Sequence, residues 1–117
     1  MKRGDIVTVA LQGDYDKPRP ALVIESDRLP PTDSVLVCLL TSALQDAAPF
    51  RRHTIEPSTS TGLRVASEVM VDKIFAVRRQ KCGPPIGSLG PSAMLAVTRK
   101  LALLTGVADA SSKADEA

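Results

Sequence analysis

The segment Lys17-Pro18-Arg19-Pro20-Ala21-Leu22-Val23-Ile24-Glu25 joins a rigid entry to an apolar run. A proline fixes its own φ and pushes the residue before it into an extended conformation. Pro20 therefore holds Arg19 extended, Pro18 stiffens the approach, and the apolar residues that follow read as a buried strand over Arg19 to Glu25. A guanidinium that stays charged at any working pH is set at the mouth of a core strand. It can meet an anion there, or solvate the surface as most exposed charges do, and for the arginine alone the surface role has the larger share.

The neighbouring segments extend the same pattern. Asp5 to Leu11, with Ile6, Val7, Val9 and Leu11, reads as a first strand, and Gln12 to Pro18 as a loop of turn formers. Ser34 to Leu40 is the most apolar strand and is expected at the centre of a sheet. Thr41 to Arg52 reads as a polar connection, His53 to Glu56 as a short strand, and Pro57 to Gly62 as a turn. Two further strands are expected at Ala66 to Val71 and Ile74 to Val77, then a turn at Cys82 to Pro85 and a short extended piece at Ile86 to Leu89. One helix follows. Pro91 stands at its first position after Gly90, Met94, Val97, Leu101 and Leu104 recur on one face, and Gly106 provides the stop. Short strands first and one helix last predict a mainly β protein, a small antiparallel barrel with a C-terminal α-helix. Residues 1–108 read as a single domain and 109–117 as a disordered acidic tail.

Composition narrows the function classes. At 117 residues the chain buries a real core without needing a disulfide or metal staple. Aromatics are 3%, namely Tyr15, Phe50 and Phe75, too few for a protein that stacks many bases on aromatic platforms. The net charge is +2, but Asp109, Asp115 and Glu116 against Lys113 give the tail −2 and leave +4 on the body, which tolerates a phosphate backbone without being diagnostic of one. With one histidine and no close cysteine pair, no zinc site is expected and no cofactor is implied. Cys38 reads as a small buried hydrophobe and Cys82 as a loop residue, with a disulfide between them left open. Met1-Lys2-Arg3 is followed by Gly4-Asp5 and a broken apolar stretch, which does not make a signal peptide, and no run reaches membrane-spanning length. A cytoplasmic protein is expected.

Several segments, in order, resemble one family. Gly4-Asp5-Ile6-Val7, Arg19-Pro20-Ala21-Leu22-Val23-Ile24, Val35 to Leu40 ending in Thr41-Ser42, Gly62-Leu63 with Ser67 to Asp72, and Ile86-Gly87-Ser88-Leu89 before a helix are similar to the MazF/PemK toxins of bacterial toxin–antitoxin systems. The resemblance runs from Lys2 to Gly106. It implies an SH3-like barrel of the CcdB/PemK kind, a homodimer, and a sequence-specific, metal-independent endoribonuclease that cuts single-stranded mRNA. The RNA's own 2′-hydroxyl would be the nucleophile, leaving a 2′,3′-cyclic phosphate. A cognate antitoxin is implied as partner. The resemblance sets Arg19 and Thr41 as catalytic, with Ser42 beside them and Asp72 at an acidic position near the groove. Arg51, Arg52 and His53 fall in and after the loop that the family uses beside its RNA groove.

The chemistry is sound from below. Attack by a 2′-hydroxyl builds negative charge on the phosphorane oxygens. A guanidinium fork holds two such oxygens and a threonine hydroxyl donates to a third or to the leaving group. One preorganised donor of this kind lowers a barrier by about 3–4 kcal/mol. Plainer uses stand beside these: Thr41 as a strand-end hydroxyl closing a turn, Asp72 as a turn residue before Lys73, Arg51 and Arg52 as solvated loop charges, and His53 as a structural residue. Two places where many members carry arginine fall on Met70 and Phe75, with Arg78 and Arg79 as possible substitutes, and the loop Gln12 to Pro18 is short for the family. Fewer groove cations imply weaker phosphate binding. Two other functions stay open on sequence: a toxin of the same fold that acts on DNA gyrase by protein contact, and a weak or inactive member that only binds RNA or antitoxin.

Overall fold

A computed structural model describes residues 1–11, 17–45 and 49–112. Six strands form one antiparallel sheet: β1 (Asp5–Val9), β2 (Arg19–Val23), β3 (Ser34–Thr41), β4 (Arg52–Ile55), β5 (Ser67–Arg78) and β6 (Gly87–Ser88), in the order β4-β5-β3-β2-β1-β6. Among the described residues a single α-helix, α1 (Pro91–Leu104), follows. This is the mainly β architecture with a C-terminal helix that the strand pattern predicts. No helix among the described residues is long and apolar enough to cross a membrane.

The sheet curls because both of its faces bury apolar side chains. Ile6, Leu22, Cys38, Leu40, Val69 and Val71 point to one side, where Val97, Met94, Leu101 and Leu104 of α1 cover them. Val7, Val9, Ala21, Val23, Val35, Val37 and Val77 point to the other and pack on one another. Strict period-two alternation assigns these sets, so Val35 to Leu40 reads as a continuous apolar run. The second set has no helix above it; the sheet bends around it. After β5 a short 3-10 turn, Arg79–Lys81, returns the chain to the free edge of β1. There Val9 bridges Cys82, the Ala10 N–H donates to the Lys81 carbonyl at 3.0 Å, and the Gly83 N–H donates to the Thr8 carbonyl at 2.8 Å. Edge groups of β1 that would face water are thereby paired.

The two strands expected at Ala66 to Val71 and Ile74 to Val77 are one strand of 12 residues. Asp72-Lys73 does not end it. The ladder with β3 jumps from Cys38–Ile74 to Leu40–Val69, so the intervening residues of β5 bulge out. A bulge bends a strand sharply without ending it. On its far side β5 pairs with β4, Arg52 opposite Met70 and His53 opposite Val69.

The helix is as expected, with Gly90 before Pro91, Val97 fully buried, and Gly106 at φ +77° after the last turn. Beyond it Val107–Ser112 form a 3-10 helix; of the expected tail, residues 113–117 lie outside the described residues. Cys38 and Cys82 are both free, so the disulfide left open by the sequence is not formed. Gly87 lets β6 lie against the turn before Leu63: a Cβ on Gly87 would stand 2.2 Å from the Thr61 carbonyl carbon, where the Ser88 N–H donates to the Ser60 carbonyl at 2.9 Å.

Candidate active site

Pairing between β2 and β3 places the two residues of greatest interest. Val23 faces Val37, Leu22 faces Cys38 and Ala21 faces Leu39. Continued by two residues, the same register brings Arg19 abreast of Thr41. Arg19 also faces Val9 across β1, so its side chain leaves the sheet on the side away from α1. Both residues line one cavity of about 420 Å3, together with Ser42, Ser67, Pro20, Leu39, Leu63, Val65 and Met70. A cation and a hydroxyl at the rim of a largely apolar cleft suit a ligand with an anionic group and flat, weakly polar faces.

Thr41 ends β3, and its hydroxyl oxygen accepts the Ala43 N–H at 3.1 Å. The turn-closing use of threonine therefore holds, and it is compatible with chemistry. One lone pair is occupied, and the hydroxyl proton remains able to donate outward. Ser42 is exposed at the next position and lines the same cavity. Arg19 is exposed at the entrance of β2.

The remaining predicted residues do not join this pair. Arg51 stands 3.8 Å from Asp72 in an ion pair whose side chains are 61% and 31% exposed, at the bulge of β5. Such an exposed pair contributes little to stability, and its cation remains available to another anion. Arg52 is committed elsewhere. Its Nη1 is 3.3 Å from the Glu68 carboxylate and its Nη2 donates to the Gln45 side-chain oxygen at 3.3 Å. His53 leaves β4 on the opposite face, toward α1, where its Nδ1 lies 3.3 Å from Lys100 Nζ. Burial first, and the Lys100 charge second, hold its pKa below the usual imidazole value. Arg79 pairs with Glu25 at 3.3 Å and donates to the Thr32 carbonyl at 2.5 Å. Arg78 faces Ser34, the first residue of β3, while Thr41 is the last. At about 3.3 Å per residue the two ends are roughly 23 Å apart, so neither arginine takes the place of the cation that Met70 lacks.

Glu68 belongs to the same neighbourhood, though no motif marks it in the sequence. It is 3% exposed, in a run of apolar β5 residues, and faces Thr41 on β3 and Thr54 on β4. The one signal was a carboxylate at an inward position between Ser67 and Val69. Cys38 sits on the α1 side near the bulge, and burial, helped by the Asp72 charge, pushes its thiol up to about 12. It is a packing residue, not a nucleophile.

Comparison with known proteins identifies the family and the fold. The pattern of a family described as PemK-like, MazF-like toxin of type II toxin–antitoxin systems matches residues 2–105. A probable endoribonuclease MazF of Mycolicibacterium smegmatis is 41% identical over 109 residues, spanning 92% of this chain and 99% of that protein. Among solved structures, the Mycobacterium tuberculosis toxin MazF-mt6 superposes with a TM-score of 0.73 at 21% identity, covering 87% of this chain and 96% of that one. An endoribonuclease from a mycobacterial species, in complex with its cognate antitoxin, gives 0.72 at 22% identity over 91% and 95%. The Deinococcus radiodurans MazE–MazF structure in its Form-II gives 0.69 at 22% identity over 91% and 95%. At these identities the structural matches speak for the fold alone.

Proposed function

The chain belongs to the PemK-like, MazF-like family of toxins of type II toxin–antitoxin systems, and on that premise we propose that it is an endoribonuclease that cuts single-stranded mRNA. Cleavage is sequence-specific and metal-independent, and it stops translation and growth. The observation that carries the reading is the shared cavity of Arg19 and Thr41 at the neighbouring ends of β2 and β3.

In this reading the scissile phosphate sits between the two side chains. Arg19 offers its fork to two phosphate oxygens, and the charge that builds as the 2′-hydroxyl attacks strengthens that contact in the transition state. Thr41, with its oxygen tied to the Ala43 N–H, donates its proton to a third oxygen or to the departing 5′-oxygen. The 2′-oxygen bonds to phosphorus as its proton passes to solvent, and the bond from phosphorus to the 5′-oxygen breaks. The 5′-oxygen takes up a proton through the Thr41 hydroxyl, which regains one from water, leaving a 2′,3′-cyclic phosphate and a free 5′-hydroxyl. Ser42 and Arg51 border the path of the strand, and Asp72 sets the direction of Arg51. Arg52 and His53 support the loop and the helix.

The partners are a cognate antitoxin, as in the mycobacterial neighbour solved with one, and a second copy of the chain. Leu36 and Ile74, on the same face of the adjacent strands β3 and β5, are about two-fifths exposed, an apolar surface suited to a homodimer. The compartment is the cytoplasm, where the substrate is.

The test is direct. Purified protein incubated with a long unstructured RNA in the presence of EDTA is expected to produce discrete fragments ending in cyclic phosphate, and Arg19→Ala is expected not to. Intact RNA together with inhibited gyrase would overturn the reading in favour of a toxin acting on protein.

A further inference from the structure

We propose that Glu68 is a positioning residue that fixes Thr41 for cleavage by latching both ends of the β3–β4 loop. The proposal rests on the reading of Arg19 and Thr41 as the cleaving pair. The loop leaves β3 at Thr41 and re-enters the sheet at Arg52. Both ends return to a single carboxylate. Glu68 Oε1 accepts the Gln45 N–H at 2.8 Å and lies 3.3 Å from Arg52 Nη1. Arg52 Nη2 then donates to the Gln45 side-chain oxygen at 3.3 Å, which closes a three-membered ring of contacts.

Position in the sheet adds to this. Glu68 is the cross-strand partner of Thr41, so the two side chains leave the same face side by side. A carboxylate buried to 3% exposure is a costly choice at a strand position that an apolar residue would fill. Here Oε1 takes both the Gln45 N–H and the Arg52 guanidinium. No buried side-chain nitrogen or oxygen among the described residues lacks a hydrogen bond. The turn that orients the Thr41 hydroxyl, Ala43 N–H to Thr41 Oγ1, lies two residues before the latched Gln45. Releasing Gln45 would let that turn open and the hydroxyl rotate.

Steady-state cleavage of an RNA oligonucleotide containing a mapped cut site, read with amide hydrogen exchange, tests this in the full chain. Glu68→Ala is expected to lower kcat on the order of 100-fold while KM changes little, since phosphate binding by Arg19 is untouched. Glu68→Gln keeps an acceptor for the Gln45 N–H and is expected to recover part of that loss. Exchange should quicken at Ala43 and Gln45 and not along β1 and β2. Unchanged kcat in both variants overturns the proposal, as does a loss matched by faster exchange throughout the sheet, the mark of plain destabilisation. If Glu68→Ala does not fold, Glu68→Gln is judged by the same criteria. If the wild-type protein leaves RNA intact, it is the cleavage reading that fails. The latch is then decided by exchange alone: selective quickening at Ala43 and Gln45 upholds it, and unchanged protection there overturns it.

Discussion

At the scale of single residues, Arg19 divides two readings that the sequence alone weighed against each other. As an isolated exposed charge it was more plausibly a surface cation. The β2–β3 register, continued by two residues, brings it abreast of Thr41 at one cavity, which supports the proposed role in cleavage. Arg19→Ala and Thr41→Ala are each expected to lower kcat by roughly 100- to 1,000-fold, the usual loss of one preorganised oxyanion donor, with little change in melting temperature; single-turnover cleavage and calorimetry check both. Glycine or alanine at Arg51 should instead raise KM, as removal of a steering cation does. His53 belongs to a different account. Its pKa is depressed by burial and by Lys100, so the folded state binds a proton there less readily than the unfolded chain. Its contribution is present at neutral and higher pH and is lost as pH falls through the unfolded value of about 6.5 toward its lower folded value. The urea midpoint of the wild type should therefore drop more between pH 7.5 and 5.5 than that of His53→Gln. Nothing local marked His53 as a helix contact. Its neighbour Lys100 lies 47 residues away and meets it only once the sheet has formed.

At the scale of elements, legibility followed the range of the interactions that make each one. The helix was readable to within a residue because its signals are local: Pro91 at the start, the Met94–Val97–Leu101–Leu104 stripe, and Gly106 at the stop. β2 and β3 were readable because both faces are apolar. β5 was misread as two strands because Asp72-Lys73 carries the composition of a turn, and only pairing with β3 on one side and β4 on the other shows it to be a bulge. Glu68 went unnoticed for a related reason, since a carboxylate inside a strand makes sense only when Gln45 and Arg52 arrive beside it. β6, two residues long, owes its place to contact. Gly87→Ala puts a Cβ 2.2 Å from backbone of Thr61, where no side-chain adjustment relieves the clash. It is expected to cost about 3 kcal/mol or more, at the severe end of point substitutions, read as a lowered denaturation midpoint with the sheet-edge amides of β1 losing protection.

At the scale of the whole molecule, a body charge of +4 is spread thinly: Arg19 lines the cleft and Arg51 stands exposed at the bulge of β5. Two neutralised phosphates on a single strand give a slope of log affinity against log salt of about −1.4 per protomer, shallow for a nuclease. RNA affinity measured on Thr41→Ala, which should bind without cutting, is expected to show that slope, and a steeper one would mean further cations reach the strand. The family assignment was legible from five short motifs in order, and so was a barrel-like β fold, whereas the return from Cys82 to Val9 was not, because it carries no motif. That long route through β5 also has a consequence in time. Synthesis delivers Arg19 and Thr41 in the first half of the chain, whereas the strand that flanks Thr41 and supplies Glu68 comes after residue 66. A nascent chain thus carries both groups of the site well before it carries the strand that holds one of them in place, and an unfinished product of the message has the parts of a nuclease without its assembly.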